Sequence, residues 1–194
     1  PLVEGKKPRV LFEITMNSLA SDGGAVNDED FLHRVDTLSA LGQEVLVSNF
    51  SLFYQMKQFL RFNTDQAIGI VVGAALLPKM FDESFYSKLP GGILEGMSRL
   101  FDEKTRVFVF PSKDDKTCAT ASVYHPPDKL QYLYKHLLHN QWIADVLNCD
   151  DVDTTVHSNV VRAWLSSKDA RWKQYVPDKA RKLIEERHLF GYRP

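Results

Sequence analysis

Cysteine is scarce in this chain: Cys118 and Cys149 are the only two in 194 residues. That is too few for a disulfide framework. Long apolar runs are missing too, and none approaches the ~20 residues a membrane-spanning helix needs. The opening stretch, Pro1 to Pro8, lacks the apolar core of a secretory signal. Neither sign of charge dominates, since 24 Lys and Arg against 25 Asp and Glu leave a formal net charge of -1. Duplex-binding domains usually carry a basic excess, so the balance argues against nucleic acid as a partner. No repeat and no low-complexity tract occurs. The glycines fit neither GxxxxGK[ST] nor GxGxxG, and neither HExxH nor CxxC is present, so no cofactor is assigned and no metal site is expected. These absences predict a soluble, cytoplasmic protein. The first residue is Pro1 rather than Met, which fits either a removed initiator or a piece of a longer protein.

What the chain does have is apolar material for a core: 44% hydrophobic residues and 11% aromatics. Four short runs stand out. They are Val10 to Thr15, Val45 to Asn49, Ile68 to Gly73 and Val107 to Asp114. Helical patterns separate them. Phe31, Leu32, Val35, Leu38 and Leu41 recur at helical spacing behind the acidic start Asp28-Glu29-Asp30, with Gly42 as the terminator. A second stripe is Leu52, Phe53, Met56, Phe59 and Leu60, with Ser51 as its expected cap. A third helix is expected from Ala75 to Leu89. Pro90-Gly91-Gly92 then reads as a helix–helix corner before a fourth, Ile93 to Glu103. Strands alternating with helices imply an α/β fold, with a mostly parallel sheet of about four strands and helices on both faces. Beyond the polar loop 111–128 the pattern is helical: 128–139, Ser158 to Ser166, Ala170 to Val176 and Asp178 to His188. The expected organisation is therefore an α/β core over 1–128 and a helical extension over 129–194.

Parallel sheets take their ligands beyond the carboxyl ends of the strands. The polar residues there are Asn17, Ser48, Asn49, Lys113 and Asp114, a set suited to a small polar or anionic ligand. Ser48-Asn49 also leads into a helix whose first N–H groups would face an anion. Such residues serve equally as caps and turns. Glu13 is less ordinary, because a carboxylate inside an apolar strand must pair or face a cavity. Arg9 is its nearest basic candidate. His125 lies in the loop after the fourth run, which makes it the preferred acid–base histidine, beside Glu13. Cys118 in the same loop is a candidate nucleophile if His125 is near. His136 and His139 sit three apart on one helix, and without further ligands they read as surface positions.

Two functions follow. One is an enzyme domain acting on a small metabolite at the sheet edge, covered by loop 111–128. The other is a non-catalytic domain of a larger assembly, which binds a protein partner or self-associates through its C-terminal third. The interleaved basic and aromatic residues of Arg171 to Tyr175, and the tail Leu189 to Tyr192, would serve it.

Overall fold

The structure, a computed structural model, describes residues 5, 7–15, 28–113, 118–150 and 156–193. In chain order the elements are β1 (Leu11–Thr15), α1 (Asp28–Ala40), β2 (Glu44–Ser48), α2 (Phe53–Asn63), β3 (Ile68–Gly73), α3 (Leu77–Met80), α4 (Gly92–Leu100), β4 (Thr105–Phe110), β5 (Ser112–Lys113), β6 (Cys118–Ala119), α5 (Gln131–His139), β7 (Ile143–Asp145), α6 (Ser158–Ser166) and α7 (Asp178–Arg187). The fold is α/β with parallel strands. No helix among the described residues is long and apolar enough to cross a membrane. The chain forms two compact units. One holds the described residues from 50 to 150, and the other holds 7–15, 28–49 and 156–193.

The four runs expected in one sheet are distributed over two. In the first unit β3, β4 and β7 form a parallel sheet in that order, with Val107 beside both Ile70 and Ile143. The strand β7 was not expected, since residues beyond 128 read as helix. It has only three residues, too few to show a period of two, and it becomes a strand because β4 offers it a free edge. Ile68, Ile70, Val72, Val107, Val109 and Ile143 point into one core with Met56, Met97 and Leu137 from the helices. The opposite side of β3 is open, with Val71 65% exposed, so this sheet shows alternation rather than a run buried on both faces.

Local signals explain where the helices deviate from expectation. Ser51 does not cap α2. The Gln55 side chain does, accepting from the N–H groups of Ser51 (3.0 Å) and Leu52 (3.1 Å). The stretch expected as one helix to Leu89 breaks after Met80, because Asp82 accepts from Ser84 N at 2.9 Å and starts a separate 3-10 turn, Glu83–Tyr86. The corner at Gly91-Gly92 is as expected, with Gly92 at φ 55°. Gly96 is obligatory for another reason: a Cβ there would meet the Tyr86 ring at 2.3 Å.

At the amino end of β4 a charged network joins three elements. Asp102 accepts from the Thr105 hydroxyl (2.7 Å) and Lys104 N (2.9 Å), and pairs with Lys57 Nζ (3.0 Å) and Arg61 Nε (3.2 Å) of α2. Burial alone would raise its pKa. The Thr105 and Lys57 hydrogen bonds, the Lys104 N–H and the Lys57 charge outweigh that, and hold the carboxyl far below the usual carboxylate range.

In the second unit β1 and β2 pair in parallel, Glu13 beside Leu46 and Thr15 beside Ser48. Gly42 at φ 76° ends α1, and Gln43 N reaches back to Leu38 O at 3.1 Å, as the sequence suggested. A separate apolar cluster contains Leu165, Trp172, Ile184 and Leu189. The aromatic tail folds onto it: Tyr192 packs against Trp172 with ring centres 5.7 Å apart. Phe190 meets His33 of α1 edge-on, and its N–H donates to His33 Nδ1 at 3.1 Å.

Candidate functional site: a groove lined by the segments after β3 and β4

The carboxyl ends of β4 and β7 meet on one loop. Beyond β4 the chain passes through the small antiparallel pair β5–β6 and enters residues 120–127. Asp145, the last residue of β7, grips that loop. Its Oδ1 accepts from Ala121 N (2.6 Å), and its Oδ2 accepts from Ser122 N (3.0 Å) and the Ser122 hydroxyl (2.6 Å). From the other side the Tyr134 hydroxyl donates to Ala121 O at 2.7 Å. Burial, with the Asp145 charge and Tyr124 adding to it, pushes the Tyr134 phenol above its ordinary value, so it stays a neutral donor.

This grip builds a groove of about 880 Å³. Its walls are Pro78, Phe81, Tyr124, Pro126 and Pro127, and its polar rim is Asp82, Glu83, Ser84, His125, Asp128 and Lys129. One side descends from the segment after β3, the other from the segment after β4. Below lies an aromatic triad: Phe81 meets Tyr134 edge-on at 4.9 Å, and Tyr124 meets Tyr134 edge-on at 5.3 Å. Edge-to-face contacts of this kind make a stiff floor. Pro126 and Pro127 fix two φ angles in the wall, and Pro127 O accepts from Leu130 N at 2.8 Å, closing the turn Asp128–Leu130 that leads into α5.

The rim is more acidic than basic. Ser84, through its hydroxyl and its N–H, holds the Asp82 carboxyl below its usual pKa, so Asp82 is anionic at neutral pH. Glu83 pairs with Lys129, which occupies the one lysine of the rim. His125 lines the same groove as these groups.

The residues singled out from sequence fall in different places. His125 lines the groove; Glu13, Ser48, Asn49 and Lys113 do not. Glu13 and Ser48 do meet, in the second unit, where the Ser48 hydroxyl donates to Glu13 Oε1. Ser48 and Glu13 share a face of the β1–β2 pair, two positions apart in register. Arg9, one of the bases offered to Glu13 by the sequence, pairs with Glu44 instead. The helix start offered to an anion after Ser48-Asn49 is already satisfied by Gln55. Lys113 is in β5, its Nζ 3.9 Å from Asp150 Oδ1. Asn17 and Asp114 lie outside the described residues.

Cys118 is not a nucleophile. It is bonded to Cys149, with the two Cα atoms 6.1 Å apart. Two cysteines 31 positions apart carry no spacing signature, so composition could not reveal the pairing. His136 lies edge-on to Trp142 at 5.6 Å, a packing role. Among the described residues no group of three His, Cys, Asp or Glu side chains could hold a metal ion. Sequence reasoning passed over Asp82, Tyr124, Asp145 and Lys129. Asp145 carried one faint signal, as a carboxylate ending the apolar triplet Trp142-Ile143-Ala144. No model of a known protein family matches this chain, and a search of curated proteins finds no significant similarity to any of them.

Proposed function

We propose that this chain is an α/β domain that binds a small polar ligand in the groove beside His125, with His125 as the group that moves a proton. One observation carries the proposal. The groove, about 880 Å³, lies on the segments that follow the carboxyl ends of β3 and β4. Parallel sheets hold their ligands at that edge, and the volume is in the range of small-molecule sites. Asp82, Glu83 and Asp128 against the single lysine Lys129 favour a ligand without net negative charge, which narrows the polar-or-anionic class expected from sequence. An acid–base step on a hydroxyl or amine is the chemistry one histidine among carboxylates suits.

The test is a thermal-shift screen of neutral, amine-bearing and phosphorylated metabolites. A ligand at 100 times its Kd stabilises by about 2.7 kcal/mol. The expected hit is a neutral or amine-bearing compound whose shift disappears in His125→Ala. Binding that survives His125→Ala, or hits confined to phosphorylated compounds, would refute the proposal.

The alternative, a partner-binding C-terminal third, has less to support it. The large apolar side chains of 158–193 turn inward, and Tyr175, 47% exposed, is the exception among them.

A further inference from the structure

We propose that His33 is a pH-sensitive clasp between α1 and the C-terminal turn Leu189–Gly191, closed while its ring is neutral and opened at the Phe190 N–H when the ring is protonated. The direction of one hydrogen bond carries the inference. Phe190 N lies 3.1 Å from His33 Nδ1. A backbone N–H can only donate, so Nδ1 must be bare, and the proton of the neutral ring sits on Nε2. A second proton goes to Nδ1. It sets two donors face to face, and the bond is lost. Histidine is the side chain whose ordinary charge change falls between about pH 5 and 8, so an acceptor of this kind reads pH in that range.

The charges around the ring are accounted for. On α1 itself Glu29 Oε1 stands 3.8 Å from Nε2, so a charged ring gains an ion pair as it gives up Phe190. From α6, Arg162 lies 5.5 Å from the centre of the Phe190 ring, and Asp30 meets its charge at 3.0 Å while also pairing with Arg34. From α7, Arg187 pairs with Asp36 at 3.2 Å. From β2, Glu44 pairs with Arg9. His188, next to the turn, is exposed and packs on Tyr192. Among the described residues Glu29 is the charge within ion-pair reach of His33.

What opens is limited to the step at Phe190. Leu189 is buried in the cluster of Trp172 and Ile184, and Tyr192 packs on Trp172. Neither contact involves His33, and the Arg187–Asp36 pair keeps α7 on α1. Arg162 acts on the Phe190 ring and not on its N–H, so it does not replace the lost acceptor. Phe190 is also the strained point of the turn. Its φ is 55°, in the left-handed region that a residue with a Cβ enters at a cost. The bond to Nδ1 and the edge-on contact of the two rings, 5.2 Å between centres, offset that cost. Protonation removes the bond and leaves the strain.

NMR on the full chain tests the clasp. Amide exchange is measured at about pH 7.5 and about pH 5, each rate divided by the intrinsic rate at that pH, and the ring nitrogens of His33 are followed in the same samples. At the higher pH the proton is expected on Nε2 with Nδ1 bare. Protection of the Phe190 amide is expected to fall about tenfold or more at the lower pH, with Ile184 in α7 within about twofold. His33→Asn, which does not titrate, should show no such fall, and His33→Leu should leave Phe190 unprotected at both pH values. A proton on Nδ1 at the higher pH overturns the proposal, and so does Phe190 protection that is the same at both. A fall in His33→Asn as steep as in the natural chain would assign the effect to Glu29 or His188 and overturn it too. So would an equal loss at Ile184, which would make it general unfolding. The natural chain decides by itself should His33→Leu fail to fold. The groove proposal stands or falls separately, on His125.

Discussion

Replacing Asp102 by Asn tests how the first unit is held together. The substitution keeps size and shape and removes the charge that faces Lys57. The Lys57 side chain is only 10% exposed, so the variant leaves a nearly buried ammonium without its counter-ion. Breaking a fully buried ion pair on one side costs about 3–5 kcal/mol. The Asp102 side chain is 34% exposed, so solvent screens part of the interaction. The remaining Arg61 contacts to Thr64 O and Gln66 O survive. We expect a loss of about 2–3 kcal/mol after that discount. Global unfolding governs exchange of core amides, and Val107 N, bonded to Trp142 O at 2.8 Å, is such an amide. At 1.36 kcal/mol per decade its exchange should accelerate roughly 30- to 160-fold. Adding Lys57→Met removes the stranded charge, and should recover most of the loss. The pH dependence has a definite sign. The folded carboxyl has a depressed pKa, so its stabilisation is complete above the unfolded value of about 4 and is lost as pH falls below it. The gap between the natural chain and Asp102→Asn should close on acidification. A loss under 0.5 kcal/mol, taken as about the size of a neutral surface change, would refute the reasoning, as would a double variant no better than the single one.

Asp145→Ala should cost about 2–4 kcal/mol, since it strands the Ala121 and Ser122 N–H groups, and should abolish ligand binding in the groove; urea midpoints and the metabolite screen read the two effects. Gly96→Ala should destabilise the first unit by about 1–3 kcal/mol and break the Tyr86 hydroxyl bond to Met80 O, seen as faster exchange in α4. Trp172→Ala, at a side chain 2% exposed, should cost about 3–5 kcal/mol in the second unit, visible as loss of the near-ultraviolet signal from Trp172 and Tyr192 and raised exchange in α7.

Much of the local structure was legible in residue order. Asp28 to Ala40 reads as a helix because its acidic start and apolar spacing agree, and α6 has the bounds its pattern gives. The fate of Glu13 was half legible. A carboxylate in an apolar strand must find a partner, but its finding Ser48 rather than Arg9 depends on the register of β1 against β2. His125 was expected at the carboxyl edge by counting strands, and it lines a groove whose walls come from the segments after β3 and β4. Asp82 and Lys129 were invisible, because they are 47 residues apart in the chain and only the turn 83–86 and the turn 128–130 bring them to one rim.

The order of strands and helices, the turns at Gly42 and Gly92 and the apolar stripes are properties of the sequence itself, because propensity, periodicity and glycine's freedom act within a few residues. Which strands share a sheet, that Ile143–Asp145 is a strand at all, that Cys118 finds Cys149, and that Asp145 grips Ala121 were decided by tertiary structure. Each of these needs groups tens of residues apart to meet. The hydrogen bonds and the sulfur bond that join them exist only once the chain has folded.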